Sequence, residues 1–108
     1  MTQTEIPILI RRSIAKKILF LPHAVRQMTR PDRMISPSEI RNVLINGKII
    51  ERYPEDARGY SCLMMGHGNK GQPIHVVCSP KDEYLSVITA YIPSILEWDE
   101  GFEKRKQL

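Results

Sequence analysis

The sequence is short of the residues that build metal centres and disulfide frameworks. It has two cysteines and three histidines. Cys62 and Cys78 form no CxxC pair, and they make no metal-ligand set with His23, His67 and His75. No cofactor or metal is therefore expected. Both cysteines read as small buried strand residues in a reducing cytoplasm, although adjacent strands would bring them together. No apolar run approaches the roughly 20 residues of a membrane span. The start lacks the pattern of a secretory leader, because Glu5 is acidic and basic residues interrupt the apolar stretch after it. Aromatic residues make up only 6%, and packing claims most of them, which disfavours a base-stacking platform. A P-loop is absent as well: the glycine-rich residues 66–72 join strand to strand and lack a GK[ST] ending. His67 within them reads as an exposed loop residue.

What is present is an ordinary globular composition. With 108 residues, 42% hydrophobic and 26% charged, the chain fits one domain, 1–108, around one core. The formal charge of +4 is modest but unevenly spread. Residues 11–33 carry Arg11, Arg12, Lys16, Lys17, Arg26, Arg30 and Arg33 against one acid, Asp32. Residues 82–103 carry six acids and no Lys or Arg. That asymmetry points to a basic face suited to phosphates. The plainer alternative is charge dispersed over a solvated surface.

Periodicity divides the chain further. Ile6, Ile10, Ile14 and Ile18 recur at helical spacing, predicting an amphipathic first helix with Thr4 as N-cap and Pro7 in its first turn. Residues 18–21 either end this helix or form a short extended piece. Pro22 opens a second helix reaching Met28, on which His23, Arg26 and Gln27 share a face. Ser36, Pro37 and Glu39 start a third with a capping box, and Gly47 serves as its C′ residue. Strands are predicted over 48–53, 60–65, 73–78 and 84–91. The last two form a central hairpin whose apolar run is too continuous for a face in water. Turn chemistry favours a three-residue loop, Pro80-Lys81-Asp82. That register places His75 opposite Val87, on a face shared by Leu85, Thr89 and Tyr91. Trp98 and Phe102, four apart, predict a short C-terminal helix whose end Lys104, Arg105 and Lys106 complement. The resulting expectation is an α+β fold: N-terminal helices on a four-stranded, mostly antiparallel sheet, with a short C-terminal helix.

Several fragments in this order carry a resemblance. They are Pro22-His23-Ala24, Arg26 and Met28; Ile35-Ser36 with Glu39-Ile40; and Gly47-Lys48-Ile49-Ile50-Glu51 with Tyr53-Pro54. Pro73-Ile74-His75-Val76-Val77, Ile88-Thr89-Ala90-Tyr91, Pro93, Trp98, Phe102 and Arg105 complete the set. The chain thereby resembles, from Leu21 to Lys106, a small bacterial and archaeal family labelled a domain of unknown function. That family is grouped with the RelE-like and barnase-like (BECR-fold) ribonuclease toxins. Residues 30–35 depart from the tighter Arg-Gly-Ile usual there. The resemblance implies helices followed by a four-stranded sheet, metal-independent RNA cleavage, and an antitoxin partner, often a zinc-finger protein with paired CxxC motifs.

Such cleavage needs a base for the 2′-hydroxyl, an acid for the leaving oxygen, and donors on the phosphorane. The chain offers His23 and His75 as titrating groups, Arg26 as a bidentate phosphate clamp, and Thr89 and Tyr91 as hydroxyl donors. Arg11, Arg12, Arg30 and Arg33 are the candidates for binding RNA. His75 reads equally well as a core histidine, and Thr89 and Tyr91 as packing residues. His23 and Arg26 have the fewest structural reasons to be there. The rival reading is a non-catalytic RNA- or protein-binding module of the same fold. A metal-dependent hydrolase ranks last, because no carboxylate–histidine cluster stands at ligand spacing.

Overall fold

Three helices each take a proline in their first turn, where its missing N–H has no intrahelical partner to lose. The computed structural model describes residues 5–107. Helix α1 (Ile6–Lys16) buries Ile6, Ile10 and Ile14 along the predicted stripe; Thr4, expected as its cap, lies outside the described residues. Helix α2 is Pro22–Met28, and α3 is Pro37–Asn46.

The segment between α1 and α2 is a strand, β1 (Ile18–Phe20). Two constraints make it so. Lys17 leaves the helix in an extended conformation, and Leu21 is held extended (φ −72°, ψ 156°) by the proline after it. The apolar run between them pairs in parallel with β5, Ile18 opposite Leu85 and Phe20 opposite Val87.

The capping box of α3 forms as its sequence predicts. Glu39 N–H donates to Ser36 Oγ (3.1 Å), and Ser36 N–H donates to Glu39 Oε1 (3.0 Å). The other carboxylate oxygen accepts from Asn69 N–H (2.8 Å) and Gln72 Nε2 (2.9 Å). One side chain thus fastens the helix start to the glycine-rich turn. Gly47 follows the helix but is extended (φ −77°) rather than left-handed. Glycine is required there by close approach: an added Cβ would lie 2.5 Å from the Val43 carbonyl oxygen and 2.6 Å from that of Met65.

Strands β2 (Lys48–Tyr53), β3 (Ser61–His67), β4 (Pro73–Pro80) and β5 (Leu85–Tyr91) complete a mixed sheet of order β1-β5-β4-β3-β2. The sheet therefore has five strands, one pairing of them parallel, rather than four. Helices cover one face, where Ile40, Val43 and Leu44 meet Cys62, Met64, Ile74, Val76 and Cys78. Cys62 and Cys78 are directly paired across β3 and β4, both free, with sulfurs 3.8 Å apart.

The hairpin register differs from the expected one. A four-residue connection, closed by Lys81 N–H to Tyr84 O (2.8 Å), sets Pro80 opposite Leu85 and Ser79 opposite Ser86. Val87 pairs with Cys78 but Thr89 with Val77, so Ile88 is one residue too many. This bulge reverses the alternation. Leu85, Val87 and Ala90 join the helix-side core, while Thr89 and Tyr91 turn to the other face. His75 lies opposite Tyr91, not Val87. It still shares the face of Thr89 and Tyr91, but Leu85 and Val87 do not.

No helix forms after β5 among the described residues. Phe102 takes a left-handed conformation (φ 58°) and its N–H bonds Asp99 O (2.8 Å), closing a tight turn. Trp98 then faces Arg105 in an antiparallel bridge, flanked by Asp99 N–H to Lys104 O and Lys106 N–H to Glu97 O. The helical spacing of Trp98 and Phe102 is overridden by a hairpin-like strap across the sheet. Among the described residues, no helix is long and apolar enough to cross a membrane.

Hydrogen exchange should find residues 73–91 among the slowest, and fast exchange there would contradict a sheet-centred core. Ser36→Ala should cost about 1 kcal/mol in chemical denaturation. The Ser36 N–H bond lowers the Glu39 pKa below its ordinary 4.5. Its contribution is therefore complete above pH 4.5 and lost as pH falls through the folded-state value. Glu39→Gln should flatten that acid limb.

Candidate functional site

The strap encloses His75, which is 0% exposed. Its ring lies 4.4 Å from that of Trp98 at 88° and 5.3 Å from that of Tyr91 at 68°. Nε2 is 2.7 Å from the Phe102 carbonyl oxygen. A carbonyl only accepts, so Nε2 carries the proton and donates. Burial holds the imidazole pKa below its ordinary value, favouring the neutral ring. Nδ1 is then an acceptor for the Tyr91 hydroxyl, 3.2 Å away. The Tyr91 proton points inward, and its oxygen offers lone pairs outward. Burial also raises the Tyr91 pKa.

Arg105 anchors the strap's other arm. Its Nε and Nη2 donate to Glu51 at 2.8 and 3.1 Å, and its guanidinium stacks 4.7 Å above Trp98. Glu51 also accepts from the Tyr53 hydroxyl at 2.5 Å. The Arg105 hydrogen bond lowers the Glu51 pKa, and the same pairing raises that of Arg105. Tyr53 is pushed up to about 12, chiefly by burial and then by its bond to Glu51. The fork of Arg105 is occupied by Glu51.

Between α2, the end of β5 and the strap lies a groove of about 480 Å³. His23 and Gln27 form one wall, Thr89 and Tyr91 the floor, and Arg33 and Arg105 flank them. Glu97 is the acid of the lining. His23 is exposed and makes no hydrogen bond or ion pair with the described residues. A larger depression of about 550 Å³ lies by the end of α3. It places Glu100 and Glu103 against Lys48 and contains no arginine, a poor setting for an anion.

The groove thus brings together His23, Thr89, Tyr91 and Arg33 of the predicted residues. His75 does not line it and touches it only from behind, through the Tyr91 hydroxyl and the Trp98 ring. Arg26 is exposed but not in the lining, because the groove lies toward Gln27, about 100° further round the helix. Arg30 pairs with Asp32 at 3.3 Å outside the groove. Arg11 lines a separate depression with Leu44, Ile49 and Arg52, and Arg12 is exposed elsewhere on α1. The predicted single basic face is therefore divided. Arg105 and Gln27 are lining residues outside the predicted site. Spacing assigns Arg105 to a helix end, and only its place in the quoted family pattern points to it.

An imidazole, two hydroxyls and two guanidiniums in one groove suit proton transfer beside a bound anion. Among the described residues, no three His, Cys, Asp or Glu side chains form a metal-holding group. The sequence pattern of a domain of unknown function, DUF4258, matches residues 20–92. The chain belongs to this family. The DUF4258 match runs from the end of β1 to just past β5. It includes His23, Gln27, Arg33, Thr89 and Tyr91, while the strap that brings Trp98 and Arg105 lies beyond it. No curated protein and no solved structure matches the chain.

His75→Ala should destabilise the fold by roughly 3 kcal/mol, by opening a cavity and leaving the Phe102 carbonyl without its donor. The pH dependence arises from burial of a neutral ring. Below the ordinary value of 6.5 the unfolded chain binds a proton that the folded one refuses. Stability should therefore fall as pH drops from 6.5 toward the folded-state value. Thermal melts of parent and His75→Ala between about pH 7 and 5 would test this, the variant losing that slope.

Proposed function

We propose that this protein is a metal-independent endoribonuclease of the toxin type, acting on RNA in the groove and restrained by an antitoxin protein. The observation that carries the reading is the meeting of an unpaired imidazole, His23, with Thr89, Tyr91 and two guanidiniums, Arg33 and Arg105. The resemblance to ribonuclease toxins adds to it. In this reading His23 takes the proton of the 2′-hydroxyl as its oxygen bonds to phosphorus. Arg33 and Arg105 meet the charge that develops on the non-bridging oxygens, and Thr89 donates to one of them. The bond from phosphorus to the 5′-oxygen breaks. Tyr91, turning its proton away from His75, protonates that oxygen and regains a proton from water, while His23 returns the proton it took to solvent. The products are a 2′,3′-cyclic phosphate and a 5′-hydroxyl. Arg33 and Arg105 replace Arg26 in the clamp.

A second reading is a binding module without turnover. It is favoured by one observation: the Arg105 fork already grips Glu51.

The test is incubation of the purified protein with mixed RNA in a chelator, with analysis of the ends formed. Cleavage leaving cyclic phosphate is expected, and His23→Ala should slow it by about 10²-fold or more while the melt is unchanged. Tyr91→Phe should also slow it. Binding without cleavage would favour the module, and a His23→Ala variant as fast as the parent would sink the proposed base. In cells, expression of the chain alone should slow growth, and co-expression of the antitoxin should restore it.

A further inference from the structure

The groove does not end at Arg33. A second trough of about 540 Å³ adjoins it and shares both Arg33 and Ile92 with its lining. Pro31 and Met34 form one side of this trough, and Asn69 and Lys70 of the glycine-rich turn the other. We infer that the trough holds the adjoining nucleotide of a single-stranded RNA whose reacting phosphodiester lies in the groove, with the Lys70 ammonium on its flanking phosphate. This rests on the reading of the groove as an RNA site.

Three features support the trough as a nucleotide subsite. The first is continuity. Arg33 sits at the junction with its side chain only 20% exposed, so a strand leaving the groove there meets a held guanidinium and then the trough. The second is charge. Two carboxylates line the trough, and both are engaged. Glu39 accepts from Ser36 N–H and Oγ, Asn69 N–H and Gln72 Nε2. Asp32 lies 3.3 Å from Arg30 and 4.0 Å from Arg33. Lys70 is exposed and forms no ion pair among the described residues. Its charge is available to a ligand.

The third is the way the turn is built. Gly68 N–H bonds Gln72 O (2.8 Å), Lys70 N–H bonds Gln72 Oε1 (2.9 Å), and Gly71 N–H bonds Gly68 O (3.0 Å). With Asn69 N–H on Glu39 of α3, four successive backbone donors of the turn are spent. These four amides are therefore not free to cradle an anion in the way a P-loop requires. The turn instead serves as a rigid base for the Lys70 side chain, clamped to the α3 start by Glu39. A lysine on a fixed base meets a phosphate as a point charge, without demanding one orientation. That suits a backbone contact that does not read sequence. Met34, 62% exposed, gives the base an apolar ledge.

The experiment uses fluorescently labelled 2′-O-methyl RNA, which lacks the attacking hydroxyl, as a dinucleotide and as a hexanucleotide. Binding is followed by anisotropy across a salt series. The parent should bind the hexanucleotide more tightly than the dinucleotide. Lys70→Gln should lower hexanucleotide affinity by about fivefold at about 0.1 M salt and reduce the salt slope by about 0.7, the share of one phosphate. It should leave dinucleotide binding, and cleavage of an unmodified dinucleotide, unchanged. Arg41→Gln removes an exposed charge from α3 that lines neither depression, and controls for net charge; it should leave the slope as in the parent. A hexanucleotide bound no better than the dinucleotide, or an unchanged slope in Lys70→Gln, would overturn the subsite. So would an equal loss in Arg41→Gln, or a parent that binds neither oligomer. Failure to cleave with the Lys70 effect intact would count against the ribonuclease reading and leave the subsite standing.

Discussion

One extra residue in β5 decides what this sheet can present. If its side chains alternated without interruption from Leu85 to Tyr91, the residues that pack under the helices and those that face the groove would share one side. Ile88 breaks the alternation between Val87 and Thr89. The first half of the strand can then bury Leu85 and Val87 against the helices, and the second half can turn Thr89 and Tyr91 to the opposite side. The bulge is also where β1 stops, since Val87 is its last partner. Beyond that point α2 packs against β5 and brings His23 and Gln27 to the groove. Strand ending, bulge and helix placement all derive from the same short stretch of chain.

The opposite face needs a cover, because β3 and β4 are apolar on both sides. The strap supplies it with few apolar residues and several polar ties. Trp98 fills the space above His75, and the His75 imidazole satisfies the Phe102 carbonyl at the turn where the strap reverses. Arg105 is held between the Trp98 face and the Glu51 carboxylate. Arg105 is 59% exposed at its side chain, so its attraction to Glu51 is screened and its value lies in placement more than in stability. The groove wall is therefore made by a segment whose fixed points are a histidine and a glutamate on the sheet.

Much of this arrangement is legible in the residues. Helix starts are clear because proline and the Ser36–Glu39 box act within one turn, where neighbours in sequence are neighbours in space. Burial of both sheet faces is signalled by the continuous apolar run through Ile74 and Val77. The fifth strand is not decided by sequence, because Ile18-Leu19-Phe20 suits a helix end as well as an extended piece and its partner is over sixty positions away. The bulge leaves no mark in the Ile88 side chain itself; it arises from fitting two strands across a four-residue turn. The strap misleads for a related reason. Trp98 and Phe102 keep helical spacing, but the sheet offers Trp98 a buried place only if the chain doubles back. At the site, His23, Thr89, Tyr91 and Arg33 are predicted by residue type and fall together, whereas Arg26 points past the groove. Arg105 escapes such reasoning because one of its partners, Glu51, is distant in sequence, and spacing alone ranks it no higher than the lysines beside it.

The strap has a consequence for how the molecule can be observed. Trp98 is the chain's sole tryptophan, and it is 3% exposed between an imidazole and a guanidinium. Intrinsic indole emission therefore originates from this one location. Its wavelength reports whether the cover is seated, and its intensity reports the charge of the neighbours that quench it. The α1 and α3 layer contributes nothing to that signal. An optical transition seen at this wavelength but absent from far-ultraviolet circular dichroism would mark lifting of the strap from an intact sheet, a distinction that needs no label.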